Sequence, residues 1–377
     1  MKISIVGGGN AGCITALHYA FYTQDIDNLE IELIYNPDIP PEPVGQGTLL
    51  DVPKLLWLAL RETWYHNSIH ATFKSGILYE GWGKKNDKVF HEFGPQTMAM
   101  HYSPWEMQER ILKSGWFKVR EDAVLDVAEV DADYVFDARG TPKDLTDYNE
   151  LINPLNACIL GNPHWEVEKN PWSRHVATPD GWTFVIPSHP KSAARSGAVG
   201  YLYNKSITSK EDAEKNFLEM FDVDITGHLN FNNYMAKNPV IDNRIFLTGN
   251  RLFFVEPLES TATASYLYWA RFTLDYLVNR KRTLSDICDS YKKYIDRVQN
   301  FVLWHYQYGS KYDTPFWKYA KSLKFKDPDF NIKLKEIRKT KEWAKIAIQD
   351  PVNTSYAQWP PYSFKVWDDA MNKVDNK

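Results

Sequence analysis

Lys2-Ile3-Ser4-Ile5-Val6-Gly7-Gly8-Gly9-Asn10-Ala11-Gly12, at the head of a 377-residue chain, reads as an apolar strand running into a glycine turn. Gly7, Gly9 and Gly12 satisfy the pattern GxGxxG in the setting that gives it meaning, directly after a strand and at the start of a helix predicted from about Ala11 to Tyr22. Glycines there permit the tight turn and let a pyrophosphate approach the helix N-terminus, where unsatisfied N–H groups and the helix dipole favour anions. The alternating stretch Leu29-Glu30-Ile31-Glu32-Leu33-Ile34-Tyr35 follows as a second strand and completes a βαβ unit. Asp133 to Gly140 and Asn243 to Asn250 read as later strands ending in glycine turns, so the nucleotide domain is expected to be α/β, Rossmann-like and discontinuous in sequence. Gly7, Gly9, Asn10, Ala11 and Gly12 are its candidate phosphate-side residues. Asn36 stands where an acidic residue commonly binds ribose hydroxyls, and it accepts a hydrogen bond more weakly than a carboxylate.

Composition narrows the partners. The chain carries 44 basic and 48 acidic residues, a net charge of −4, which leaves no field of the kind that draws nucleic acid. The basic run from Lys318 to Lys345 reads as a solvated helical face. Aromatic residues make up 15% of the sequence, more than an ordinary core requires, and such side chains also line pockets for flat ligands. Cys13, Cys158 and Cys288 form no paired motif, so a disulfide framework or a cysteine metal site is not expected. His66 and His70 have helical spacing, but Asn67 stands where a zinc protease needs glutamate, and no metal is expected. No signal peptide and no membrane span is read, and a cytoplasmic protein, possible as a homo-oligomer, is expected. Helical patterns dominate from Ser265 onward, including Tyr266 to Arg280 and Leu284 to Tyr306.

Three further segments, far apart, point to a chemistry: Phe73-Lys74-Ser75-Gly76-Ile77, Gly181-Trp182-Thr183-Phe184-Val185-Ile186-Pro187 and Glu256-Pro257-Leu258-Glu259-Ser260-Thr261. With the glycine turn, and in this order, they resemble the flavin-dependent halogenases of the tryptophan-halogenase family, in a compact form similar to its phage-type relatives. The resemblance implies an FAD-binding domain of the flavoprotein monooxygenase type with a substrate-side sheet, over residues 1–264, and a helical substrate-side module over 265–377. Pro43-Val44-Gly45-Gln46 resembles the flavin-side strap, with Gln46 in place of the usual glutamate, so Val44, Gly45 and Gln46 join the cofactor contacts. Gly249-Asn250 resembles the Gly-Asp of class A flavoproteins, without its acid. The resemblance assigns halide binding to the backbone amides of Thr261 and Ala262, where Ala262 replaces a customary glycine. It places His101, Trp182, Phe184 and Trp317 on the substrate side, with Phe184 standing for the second tryptophan of WxWxIP.

What the family likeness implies for chemistry is a two-component enzyme. FAD arrives reduced, as FADH2, from a separate flavin reductase, and with O2 and a halide ion it yields hypohalous acid. Lys74 would capture that oxidant and aim it at an aromatic carbon, a role needing an amine whose pKa its surroundings can tune. Glu259 would polarise the hypohalous acid or remove the ring proton. The substrate is expected to be an aromatic small molecule of indole or phenol type. It is expected to sit in an open site where Trp343, Tyr356, Trp359, Tyr362, Phe364 and Trp367 are available to stack. A flavin monooxygenase of the same fold and a non-catalytic flavin-binding protein are the alternative readings.

Overall fold

The computed structural model describes residues 1–42, 44–83, 88–93, 99–165, 170–187, 189, 191–192, 198–326, 329–339 and 356–371. Pro43 of the strap and Trp343 lie outside the described residues.

The strand Lys2–Val6 is apolar on both faces because both are covered, and it pairs in parallel with Glu30–Tyr35 on one side and Tyr134–Asp137 on the other. Ile245–Leu247 and Lys118–Glu121 extend this sheet in parallel, and a short antiparallel edge, Val240–Ile241, completes six strands. The strands read from sequence at Lys2, Glu30, Tyr134 and Ile245 thus share one sheet although they lie far apart along the chain. All its parallel strands end at one side, which places the glycine turn, Asn36 and Gly249 along a common rim. The helix Asn10–Tyr22 is buried along almost its whole length, because it is sandwiched between this sheet and the helix Thr261–Leu277, to which the Tyr19 hydroxyl donates through Thr273 Oγ1 at 2.9 Å.

A second sheet has seven strands. Its order is Val223–Asn230, Ala157–Pro163, Val199–Tyr203, Gly181–Val185, Trp172–Thr178, Gly76–Glu80 and Lys88–Glu92. Trp182 and Phe184 point to one face, as residues two apart in a strand must, and both are buried. Gly200, opposite Phe184 in register, has no room for a Cβ, which would meet the Phe184 ring at 2.1 Å. A small sheet of Gln46–Gly47, Met100–Tyr102 and Thr72–Phe73 stitches the strap to the segment bearing Lys74.

The helical part begins earlier than periodicity suggested, at Thr261, so the boundary expected at 264/265 falls inside the helix Thr261–Leu277. Leu284–Tyr308 follows, 25 residues opened by a capping box of Thr283 and Asp286. Then come Pro315–Ser322, capped by Thr314, Asp329–Lys339 and Pro361–Met371. Buried residues from Ile3 to Trp367 share one apolar cluster, so the sheets and the helices are built on a common core. Among the described residues no helix is long and apolar enough to cross a membrane.

Gly12 is the tightest point in the glycine turn, since a Cβ there would stand 1.8 Å from the Gly7 carbonyl oxygen. Gly12→Ala is expected to push the turn open, at a penalty of about 1–3 kcal/mol for overpacking, and to weaken flavin binding in a fluorescence titration. Unchanged melting and unchanged flavin affinity would contradict the packing described.

Candidate active site

The rim of the parallel sheet opens into a cleft of about 350 Å³ lined by Gly7, Gly8, Gly9, Asn10, Ala11, Asn36, Arg139, Asn250 and Tyr266, among others. Its residues fit a dinucleotide. Gly9 leaves open space where a side chain would stand, and the Asn10 side-chain oxygen is buried without a partner. Asn36 spends its oxygen on the Asp38 amide at 2.9 Å, so it offers the ligand its N–H donors rather than an acceptor. Gly12 and Gly249 stand one layer behind, Gly12 against Gly7 and Gly249, at φ 61°, against Ala11. Asn250 donates to Glu42 at 3.4 Å and accepts from the Tyr266 hydroxyl at 3.2 Å, which anchors the strap residue Glu42 beside the cleft. Val44, Gly45 and Gln46 do not line it; they continue the strap towards Lys74.

Lys74 follows the short strand Thr72–Phe73 and is fully buried. Its Nζ donates to Ser260 Oγ at 2.7 Å, lies 5.2 Å from the Phe93 ring centre and packs on Gly47, where an added Cβ would come within 2.7 Å of it. Burial pushes the amine down to about 7 from its ordinary 10.5, while the Glu259 carboxylate pulls the other way. Ser260 holds a left-handed backbone, φ 54° and ψ 38°, at the N-terminus of the helix Thr261–Leu277, and its hydroxyl caps nothing. A non-glycine residue in that region is strained by roughly 1–2 kcal/mol. The strain turns the hydroxyl to Lys74.

Glu259 is also fully buried. Its carboxylate takes the Tyr79 hydroxyl, the Trp359 indole N–H at 2.9 Å, and ring nitrogens of His305 at 3.0 Å and His91 at 3.3 Å. Burial alone would raise its carboxyl, but the facing His91 and His305 hold it well below the usual range. Lys74 and Glu259 are thus neighbours through Ser260 and not a hydrogen-bonded pair. The amides of Thr261 and Ala262 open the helix beside them, with the Thr261 and Thr263 hydroxyls buried and unpartnered. The positive φ in this turn falls on Ser260, and Ala262 is helical, so alanine in place of glycine meets no steric obstacle.

Near by, His101 donates or accepts through Nε2 with Ser173 at 2.9 Å, and Trp182 packs on His175 at 4.5 Å. Trp317 is a core residue against Trp82 and Tyr306, its N–H spent on the Thr178 carbonyl at 2.8 Å. The open aromatic surface expected from the C-terminal sequence is not what the described residues form. Tyr356, Trp359, Phe364 and Trp367 are buried on one another and on Glu259 and His305, with Trp359 stacked 4.0 Å from Phe301; Tyr362 alone of the described set is exposed. Sequence reading missed the partners of Glu259. Tyr79 and Ile77 share a strand face two residues apart, and His91 faces Ile77 in register, a clue visible only once the strands are paired.

A comparison with known families decides the affiliation: the family model for tryptophan halogenase matches residues 2–123 and 128–346. The chain belongs to the tryptophan halogenase family. By that membership it is an oxidoreductase of the flavin-dependent halogenase type. It is similar to the tryptophan 7-halogenase RebH of Lentzea aerocolonigenes, 21% identical over 86% of this chain and 80% of that enzyme. With the tryptophan 7-halogenase KtzQ of a Kutzneria strain it shares 28% identity over 45% of this chain and 32% of that enzyme. Among solved structures, a tryptophan halogenase from Shewanella frigidimarina superposes with a TM-score of 0.80 at 18% identity, covering 99% of this chain and 89% of that one. The tryptophan 6-halogenase SttH of Streptomyces toxytricini gives 0.74 at 19% identity, over 97% and 89%. Both share the fold.

A lysine that folds with its amine near 7 binds fewer protons than the unfolded chain between about pH 7 and its ordinary 10.5, so stability rises with pH across that window. Below it the burial penalty is fully present, of the order of a few kcal/mol. Lys74→Met is therefore expected to melt higher than the parent near neutral pH, with the gap closing as pH climbs towards 10.5. A gap that is absent or independent of pH would contradict the depressed amine.

Proposed function

We propose that the protein is an FADH2-dependent halogenase of an aromatic small molecule of indole or phenol type, with Lys74 as the group that captures hypohalous acid. The observation that carries this reading is a fully buried amine, lowered to about 7, held on Ser260 next to a carboxylate with depressed pKa. The cleft residues Gly7 to Ala11, Asn36 and Asn250 would hold the flavin, whose reduced form, with O2, supplies the oxidation of halide to hypohalous acid. A separate flavin reductase would supply the reduced form, as the family likeness implies.

The rest is the chain's own work. The amides of Thr261 and Ala262, at the positive end of a 17-residue helix, suit a halide, with the Thr261 and Thr263 hydroxyls as further donors. The neutral Lys74 amine attacks the halogen of hypohalous acid, forming an N–halogen bond and releasing water; transfer to the aromatic carbon breaks that bond, and the displaced ring proton, taken up by Glu259, ends on the nitrogen to restore the amine. Alternatively the same amine holds the intact acid by a hydrogen bond, with equal overall balance. Glu259, anionic and held by its four neighbours, stabilises the positive charge that develops on the ring and stands ready for its proton. Burial keeps bulk water from the oxidant.

With FAD, a reductase, NADH and a halide, the protein is expected to place halogen on indoles or phenols, visible as an isotope pattern. Lys74→Ala should abolish that product while flavin binding and peroxide release persist. Glu259→Gln should slow it by about 10²–10⁴-fold, the range of lost acid–base assistance. Near-normal product from Lys74→Ala would overturn the reading.

A further inference from the structure

His305 has a hydrogen-bonding problem that only one protonation state solves simply. It lies in the helix Leu284–Tyr308 and is fully buried. Its Nδ1 is 2.7 Å from the Phe301 carbonyl oxygen, one turn back, which can only accept. Its Nε2 is 3.0 Å from Glu259 Oε1. A neutral imidazole has one donor and one acceptor. The Phe301 carbonyl claims the donor, which would leave the Nε2 lone pair facing a carboxylate oxygen. Turning the ring over removes both contacts rather than repairing one, because it sets carbon atoms in the nitrogens' places.

The other histidines around the pair have no such conflict. His91 offers Nδ1–H to Glu259 and can accept at Nε2 from the Ser363 hydroxyl, 2.8 Å away, so a neutral ring satisfies both. His101 and His175 are held neutral, well below the ordinary range, by burial. The groups facing His305 from other elements are Glu259, the Tyr79 ring from the seven-stranded sheet, the Trp367 ring from the last described helix, and His175, which feels its charge. Lys74 lies beyond Glu259. Glu256 is engaged with Tyr306, next along the helix, at 2.8 Å and is pushed up to about 7 by burial, so it does not supply a strong second counter-charge.

Two more observations favour placing the extra proton on His305 and leaving Glu259 ionised. The Glu259 oxygens already take the donors of Trp359 and Tyr79, which can contribute hydrogen atoms to an anion and fill the places a carboxylic acid would need for its own. The Trp367 indole meets the His305 ring at a centroid distance of 4.1 Å and 70°, so the neighbour on that side carries no positive charge to oppose a cation.

We infer that His305 is an imidazolium in the folded protein, the buried counter-charge that balances Glu259 and thereby favours the uncharged form of Lys74. A lone carboxylate beside Lys74 would favour the ammonium form, whose nitrogen has no lone pair to give; paired with His305, Glu259 presents little net charge to it. His305 is thus a positioning residue. It acts on the reaction through Glu259 and Lys74. The consequence for turnover rests on the halogenase reading, whereas the protonation state does not.

The two parts are tested separately. In protein with ¹⁵N-labelled histidine, ten residues contribute signals. At about pH 9 a signal with both ring nitrogens protonated is expected that is absent from the spectrum of His305→Gln. No doubly protonated histidine at that pH overturns the inference, and this arm on the parent protein needs neither a folded variant nor turnover. In halogenation assays the acid limb of the parent should lie near 7, the value of the Lys74 amine. His305→Gln should move that limb upward by about one pH unit or more, and removing the uncompensated charge in the double variant His305→Gln/Glu259→Gln should return it, at a lower rate. A fall in rate at every pH with the limb unmoved would make His305 a packing residue and overturn its coupling to Lys74. Absence of halogenation in the parent, with the doubly protonated signal present, would sink the proposed function and leave the charge assignment standing.

Discussion

A carboxylate sealed from water must find its hydrogen bonds within the protein, and Glu259 imposes that demand on four separate pieces of the chain. Tyr79 and His91 reach it from neighbouring strands, His305 from the long helix and Trp359 from the C-terminal segment. Residues 180 positions apart in sequence are thereby fixed to one pair of oxygens. Removing one partner of a buried charge is strongly destabilising, by about 3–5 kcal/mol in measured cases, because the other is left uncompensated. The seven-stranded sheet and the helical module therefore hold their relative positions through a buried polar centre.

Lys74 stands beside that centre without bonding to it. Its contact is Ser260, bent into a left-handed backbone so that its hydroxyl leaves the helix end and meets the amine. The arrangement works against stability in two ways, through a strained residue and a lysine stripped of water, and both serve the same end. In the proposed reaction they would keep an amine available as a nucleophile near neutral pH, while the helix that Ser260 precedes would offer its N–H groups to a halide. The strap adds a spatial link: one end borders the flavin cleft at Glu42, and the other, at Gly47, packs against Lys74.

Much of this was legible in the sequence, and the reason differs by residue. Gly7 and Gly12 announce themselves because backbone geometry tolerates little else at those points, and the strand and helix around them carry their own periodicity. Lys74 and Glu259 were legible from the segments around them. The partners of Glu259 were not, since Tyr79, His91 and Trp359 are assembled by strand register and helix docking, and nothing in their local sequence separates them from core aromatics. The C-terminal tryptophans misled for a related reason. Composition shows that aromatic rings are present, but only packing decides whether they face a ligand or each other, and here they close over Glu259. Ala262 looked like an obstacle to an anion turn until the structure placed the positive φ one step earlier than the helix, at Ser260.

The central claim is that burial lowers the Lys74 amine to about 7 inside the folded protein, and its own titration tests that most directly. With ¹³C-labelled lysine, the resonance assigned by its loss in Lys74→Met should titrate near 7, apart from the remaining lysines. Titration at its ordinary 10.5 would mean an ammonium at neutral pH, and the account of the site would be wrong.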